Sequence, residues 1–200
     1  RIALSELYGE AGSQSARARR IALIGLRGAG KSSLGLRLAE ALDAPFVELN
    51  REIERVSGCG LAEIHNLLGP TAYRRYERRA LEETIQLYPD AVIATPGGIV
   101  SDASTFNLLL SNCFTVWLKA SPEEHMSRVI AQGDLRPMGG AGGAAAGMHG
   151  EAMEDLKRIL SGRAAFYGKA DIAFDTSGKS SDECFTALLV LIKAETQKTQ

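Results

Sequence analysis

From residue 21 onward, short runs of consecutive apolar residues alternate with longer stretches whose apolar positions recur every three or four residues. The runs Ile21 to Gly25, Pro45 to Leu49, Ala91 to Thr95, Phe114 to Leu118 and Ile172 to Phe174 read as buried strands. Helical periodicity covers Lys31 to Leu42, Thr71 to Leu87, Ala103 to Ser111, Pro122 to Gln132, Glu151 to Phe166 and Asp182 to Ala194. Strands that alternate with helices make an α/β fold, a parallel sheet covered on both faces with ligands at the carboxyl ends of the strands. Functional residues are therefore expected just after strands. Two segments break the pattern. Residues 1–20 end in Arg17-Ala18-Arg19-Arg20 and read as a solvated linker leading into a domain at 21–200. Residues 133–150 include the Gly/Ala stretch Gly139 to Gly150, which has too few bulky side chains to dock and reads as a mobile lid or a disordered insertion.

Composition narrows the class. With 200 residues, 45% hydrophobic and 24% charged, and a net charge of -1, the chain is one globular domain with a large core and no nucleic-acid surface spread over it. Cys59, Cys113 and Cys184 lie far apart with no C-x-x-C spacing, which points away from a disulfide framework or zinc site and toward a reducing cytoplasm. No apolar run reaches the length of a membrane span, so no membrane partner is expected. His65 and His125 fall in helical stretches and read as structural, and His149 as solvated.

The chemistry starts with Gly25-Leu26-Arg27-Gly28-Ala29-Gly30-Lys31-Ser32, which fits G-x-x-x-x-G-K-[ST] between a strand and a helix. Gly25, Gly28, Ala29, Gly30, Lys31, Ser32 and Ser33 are thus the expected phosphate-binding residues, because loop N–H groups, a helix N-terminus and an ammonium converge there. Ser32 is the expected magnesium ligand, and Glu48, leaving the next strand, its carboxylate partner. Asn50, two residues on, is expected on the same side of the strand end, able to hydrogen-bond an acceptor hydroxyl but not to take its proton. In Tyr73-Arg74-Arg75-Tyr76-Glu77-Arg78-Arg79, helical spacing gives neighbouring arginine pairs that Glu77 can brace. A charged solvated helix face would use the same residues. After the third strand, Pro96-Gly97-Gly98 allows close approach of a ligand, although a plain turn has the same composition. Arg136 and Arg163 complete a set of cations suited to phosphate.

Together these residues resemble shikimate kinase, in order, from about Ile21 to Ala194. The phosphate loop matches; Phe46 to Glu54 looks like that family's F-x-D-x-D-x-x-I-E segment, and Tyr73 to Glu77 like its F-R-x-x-E. Ala94-Thr95-Pro96-Gly97-Gly98 resembles the turn that holds shikimate, Arg136-Pro137 the lid pair, and Gly162 to Asp171 the helix end carrying a second substrate arginine. The resemblance implies a five-stranded parallel sheet of the nucleoside-monophosphate-kinase type and ATP or ADP with Mg2+. It implies catalytic roles for Lys31, Glu48 and Arg136, nucleotide contacts from Arg136 and Thr176, and an acceptor site at Asn50, Arg74, Pro96, Gly97, Gly98 and Arg163.

Three departures fall on the acceptor side: Glu48 for Asp, Asn50 for the Asp that is the usual base candidate, and Pro96 for Gly. They imply an inefficient kinase. A narrower resemblance, to the C-terminal sensor domain of bacterial regulators of benzoate degradation, implies a small-molecule ligand such as benzoyl-coenzyme A. On that reading Arg74, Arg78 and Arg136 meet the carrier's phosphates. DNA is contacted only through a helix-turn-helix module upstream of Arg1, and the full-length regulator is a homodimer. The effector-sensor reading is the main expectation, and an active ATP-dependent kinase of the shikimate type is the alternative.

Overall fold

The computed structural model describes residues 14–131 and 148–198. Strands β1 (Arg20–Ile24), β2 (Phe46–Glu48), β3 (Ala91–Ala94), β4 (Phe114–Lys119) and β5 (Ile172–Asp175) form one parallel sheet in the order β2-β3-β1-β4-β5. Central β1 pairs on both sides, Ile21 lying opposite Val92 of β3 and opposite Phe114 of β4. The chain leaves β1 for the edge at β2, returns to β3, and then crosses β1 to reach β4. The reversal opens a crevice at the carboxyl ends of β1 and β3, the place where such sheets hold ligands.

Helices α1 (Gln14–Ala18), α2 (Lys31–Ala41), α3 (Leu49–Ser57), α4 (Leu61–Glu63), α5 (Gly69–Leu87), α6 (Ala103–Asn112), α7 (Pro122–Ala131), α8 (Met148–Tyr167) and α9 (Ser181–Gln197) surround the sheet. A π-turn at Ile64–Leu68 joins α4 to α5. Side chains alternate along β1. Ile21 and Leu23 pack with Leu34 and Leu38 of α2 and Leu188 of α9, whereas Ala22 and Ile24 face Leu81 of α5, Phe106 of α6 and Tyr167 of α8. Burying each such Leu or Ile stabilises the fold by about 1.5–3 kcal/mol, so the base of the loop after β1 is rigid. Truncating Leu23 to alanine would cost about 2–5 kcal/mol in that layer. Among the described residues, no helix is long and apolar enough to cross a membrane.

All five expected strands and all six expected helices are present, and the differences have local causes. β2 stops at Glu48, and Leu49 opens α3, a nine-residue helix whose apolar stripe Leu49, Ile53 and Val56 packs on the core. Residues 14–20 are not a solvated linker. Arg17 donates to the Leu110 and Cys113 carbonyls at 3.1 Å and pairs with Asp171 at 2.9 Å; Arg19 pairs with Asp90 at 2.6 Å; Arg20 donates to the Tyr88 carbonyl at 2.7 Å. The helix expected from Glu151 begins at Met148, so the last three residues of the expected lid are helical. Residues 1–13 of the expected linker and 133–147 of the expected lid, with Arg136, lie outside the described residues.

Candidate functional site

The loop after β1 owes its shape to three glycines at positive φ: Gly25 at 145°, Gly28 at 78° and Gly30 at 92°. At Gly25 a side chain is also excluded by space, since a Cβ would stand 2.6 Å from the Leu118 carbonyl oxygen. The loop feeds α2 at Lys31, whose first-turn N–H groups have no intrahelical partner and suit an anion. Lys31 Nζ donates to the Gly25 and Leu26 carbonyls, both at 2.7 Å. Burial pulls its pKa down to about 7, with nearby Glu48 opposing the fall and Arg163 adding to it. Ser32, on the first turn of α2, donates through Oγ to Glu48 Oε2 at 2.5 Å. Ser33 Oγ reaches the Gly30 carbonyl at 3.5 Å. A hydroxyl beside a single carboxylate is a donor set that suits magnesium already carrying water and phosphate oxygens. Among the described residues, no group of three or more His, Cys, Asp and Glu could hold a metal by itself.

His125 lies buried against this loop: a Cβ on Gly28 would meet its main-chain oxygen at 3.3 Å. Burial, with Lys31 and Arg128 nearby, lowers its pKa to about 4, so the ring is neutral. Arg128, which the sequence reading passed over, donates to Thr176 Oγ1 at 3.1 Å and reaches the Ala29 carbonyl at 3.5 Å. Its spacing four residues after Glu124, with which it pairs at 3.0 Å, was the available signal. Thr176 is buried, its hydroxyl donating to the Lys119 carbonyl at 2.9 Å, and it does not line the cavity described below.

The turn after β3 faces the loop. Thr95 Oγ1 donates to the Leu23 carbonyl at 2.8 Å, and the Pro96 carbonyl accepts from Ile99 N at 3.2 Å, which starts the short 3-10 turn Ile99–Ser101. Gly97 lies against the loop backbone, where a Cβ would stand 3.2 Å from Arg27 N. Its carbonyl accepts from Arg163 Nη1 at 3.2 Å and from the Tyr167 hydroxyl at 2.6 Å. The Gly98 carbonyl accepts from Arg74 Nη1 at 2.8 Å. A Cβ on Gly98 would lie 3.0 Å from Arg74 Nη2 and 3.5 Å from Arg163 Nη2, so guanidinium groups from α5 and α8 meet over one glycine. Two cations that close favour an anion between them. Arg74 Nη1 also donates to Glu77 Oε1 at 2.7 Å. Burial pushes the Glu77 carboxyl up, and the Arg74 guanidinium pulls it back.

Loop and turn border one cavity of about 640 Å³. Gly28 to Ser33 and Glu48 line it together with Asn50, His65, Tyr73, Arg74, Gly98 and Arg163. Asn50 reaches it from the first turn of α3, not from a strand end, because the helical turn after Glu48 replaces strand alternation. Arg78, expected to meet a carrier's phosphates, instead pairs with Glu82 at 2.9 Å and donates to Ser104 Oγ at 2.5 Å, while Arg79 pairs with Glu83 at 3.1 Å. His65, read from the sequence as structural, is exposed and borders the cavity. The π-turn removes it from the 3.6-residue pattern, so no periodicity could have placed it there.

The sequence profile of the shikimate kinase family matches residues 27–193. The shikimate kinase of Caulobacter vibrioides is 40% identical over 122 residues, 61% of this chain and 60% of that protein, so this match spans less than two thirds of the relative's length. Those of Synechococcus and Thermus thermophilus are 30% and 33% identical, covering 84% and 82% of this chain and 80% and 84% of theirs. Among solved structures, shikimate kinase from Acinetobacter baumannii in complex with shikimate superimposes with a TM-score of 0.75 at 25% identity, over 88% of this chain and 94% of that one. The Bacteroides thetaiotaomicron shikimate kinase gives 0.72 at 25% identity, over 88% and 97%. These findings overturn the main sequence expectation of an effector sensor: relatives 30–40% identical are named as kinases, and nothing in the comparisons supports a DNA partner, a regulatory dimer or a coenzyme A thioester ligand. A phosphate loop, a doubly covered five-stranded sheet and a family profile that matches residues 27–193 agree: the chain belongs to the shikimate kinase family.

Proposed function

We propose that the protein transfers the γ-phosphoryl group of ATP to a hydroxyl of a small carboxylic acid, with shikimate as the first acceptor to test. The observation that carries this reading is that the phosphate loop and the Arg74 and Arg163 guanidinium groups border the same cavity. Such an arrangement suits two anionic substrates brought together, and phosphoryl transfer depends mainly on positioning and charge.

Each residue's role follows from its contacts. The Gly28 to Ser32 amides and Lys31 bind the β- and γ-phosphates, the lysine exchanging its bonds to Gly25 and Leu26 for phosphate oxygens. Ser32 and Glu48 would hold magnesium, which supplies charge neutralisation at those oxygens when bound. Arg74 and Arg163 take the acceptor's carboxylate, as their shared position over Gly98 allows. Tyr167 and Glu77 fix them indirectly, one by holding the Gly97 carbonyl and the other by bracing Arg74. Asn50 orients the hydroxyl through its amide.

The test is an ADP-release assay with magnesium and ATP, with and without shikimate, and identification of the phosphorylated product by phosphorus NMR. Acceptor-dependent ADP release supports the reading. Release no faster than in the acceptor-free control would overturn it for this acid, and the same outcome across a panel of hydroxylated cyclic acids would overturn it for the class.

A further inference from the structure

The cavity is lined by an imidazole, His65, as well as by the Asn50 amide. His65 lies on the π-turn Ile64–Leu68, which buried Ile64 anchors and which packs on α5. Single π-turns concentrate at functional sites because the extra residue re-aims a side chain. Here the side chain re-aimed is His65, which borders the cavity alongside Asn50, Arg74 and Arg163. Its ring stacks on Tyr73, with centroids 4.4 Å apart and planes 25° from parallel. Tyr73 is 6% exposed and lies under the Arg74 guanidinium, 5.1 Å from ring centroid to Cζ. The imidazole plane is thus set by the same short stretch of α5 that carries an acceptor arginine.

Asn50, which lines the same cavity, can accept a hydrogen bond but has no basic site for a proton. We infer that His65 is the general base of the transfer. This rests on the kinase reading above. As the acceptor oxygen bonds to the γ-phosphorus, its proton passes to a ring nitrogen of His65, the bond from phosphorus to the β–γ bridging oxygen breaks, and ADP leaves; the imidazolium then returns the proton to water. Several charged or titratable groups share its surroundings. Tyr73, Arg74 and Glu77 lie on α5, Glu54 and Glu63 cap the backbone at Leu61 and Gly60, and Lys31, Glu48 and Arg163 border the same cavity.

His65→Phe separates chemistry from shape, because phenylalanine keeps a ring on Tyr73 and has no base. kcat and KM for shikimate are measured across pH for the wild type, His65→Phe, His65→Gln and the double variant His65→Phe with Asn50→Asp, each checked for folding by circular dichroism. The wild-type kcat should fall on the acid side, within the range of about pH 5 to 8 where histidines titrate. Both single variants should lose kcat by about 10²-fold with KM little changed, and lose that acid limb. Asn50→Asp should restore most of the loss and move the limb to lower pH, where carboxylates titrate. Wild-type kcat and acid limb in either single variant, or a loss confined to KM, would overturn the inference while leaving the kinase reading intact. No shikimate-dependent ADP release by the wild type would overturn the inference for this acid, and none across the panel of hydroxylated cyclic acids would overturn the kinase reading with it.

Discussion

Replacing Lys31 with methionine should make the free protein more stable and its ATP binding weaker, because the same burial that readies the ammonium for phosphate is costly without it. The group is 8% exposed, and burial takes its pKa from 10.5 to about 7. That displacement corresponds to about 5 kcal/mol between the two protonation states. The bonds from Nζ to the Gly25 and Leu26 carbonyls oppose it. The displacement already includes those two bonds, so it stands as the net penalty that the charged form carries when buried. The folded value lies below the unfolded one, so between about pH 7 and 10.5 the unfolded chain holds the extra proton. Wild-type stability is therefore lowest below pH 7 and rises with pH across that window. Urea unfolding of both proteins near pH 6 and near pH 9 should show the variant's lead greatest at the lower pH and smaller by about 3 kcal/mol at the higher, because the wild type gains about 1.4 kcal/mol per pH unit above pH 7. Calorimetry should show ATP binding weakened by about 1.5–3 kcal/mol. A stability difference that does not change with pH would refute the buried-ammonium argument, and unchanged ATP affinity would refute the role given to the loop.

Glu48→Ala and Ser32→Ala should each raise the magnesium concentration needed for half-maximal ADP release by at least about tenfold, read from a magnesium titration at fixed ATP. Equal requirements in variants and wild type would remove the pair from the metal site. In Gly98→Ala the new methyl displaces the ends of the flexible Arg74 and Arg163 side chains, so KM for shikimate should rise while the melting midpoint stays near the wild type. A fall in kcat alone would contradict this. Gly25→Ala sets a Cβ against the Leu118 main chain at φ 145°, so equilibrium unfolding should show a loss of at least about 1–3 kcal/mol. Gly58→Ala, at φ 72° with open space around it, should lose about 1–2 kcal/mol, and equal losses at the two positions would show that the Leu118 contact is not what excludes a side chain at Gly25.

The sequence by itself determined the alternation of strands and helices, the phosphate loop, and the brace between Arg74 and Glu77. In each case the physics is local: apolar burial on both faces of a strand, a contiguous glycine backbone that wraps an anion, and the three-residue spacing of a helix. It also showed the replacements at Asn50 and Pro96, which pointed toward a sensor because a residue read alone cannot reveal what else lines its pocket. Tertiary structure decided the rest. The strand order sets β3 beside β1, and only this brings Gly97 against Arg27 and Arg163 of α8 over the glycine that Arg74 also reaches. Arg17 and Arg20 read as solvated charge until the carbonyls that bind them were placed by folding. His65 stayed hidden because a π-turn breaks the helical period, and its place in the cavity depends on the packing of that turn against Tyr73. Period and composition report on neighbours along the chain, whereas this cavity is assembled from segments that meet only when the sheet's crossover closes it between them.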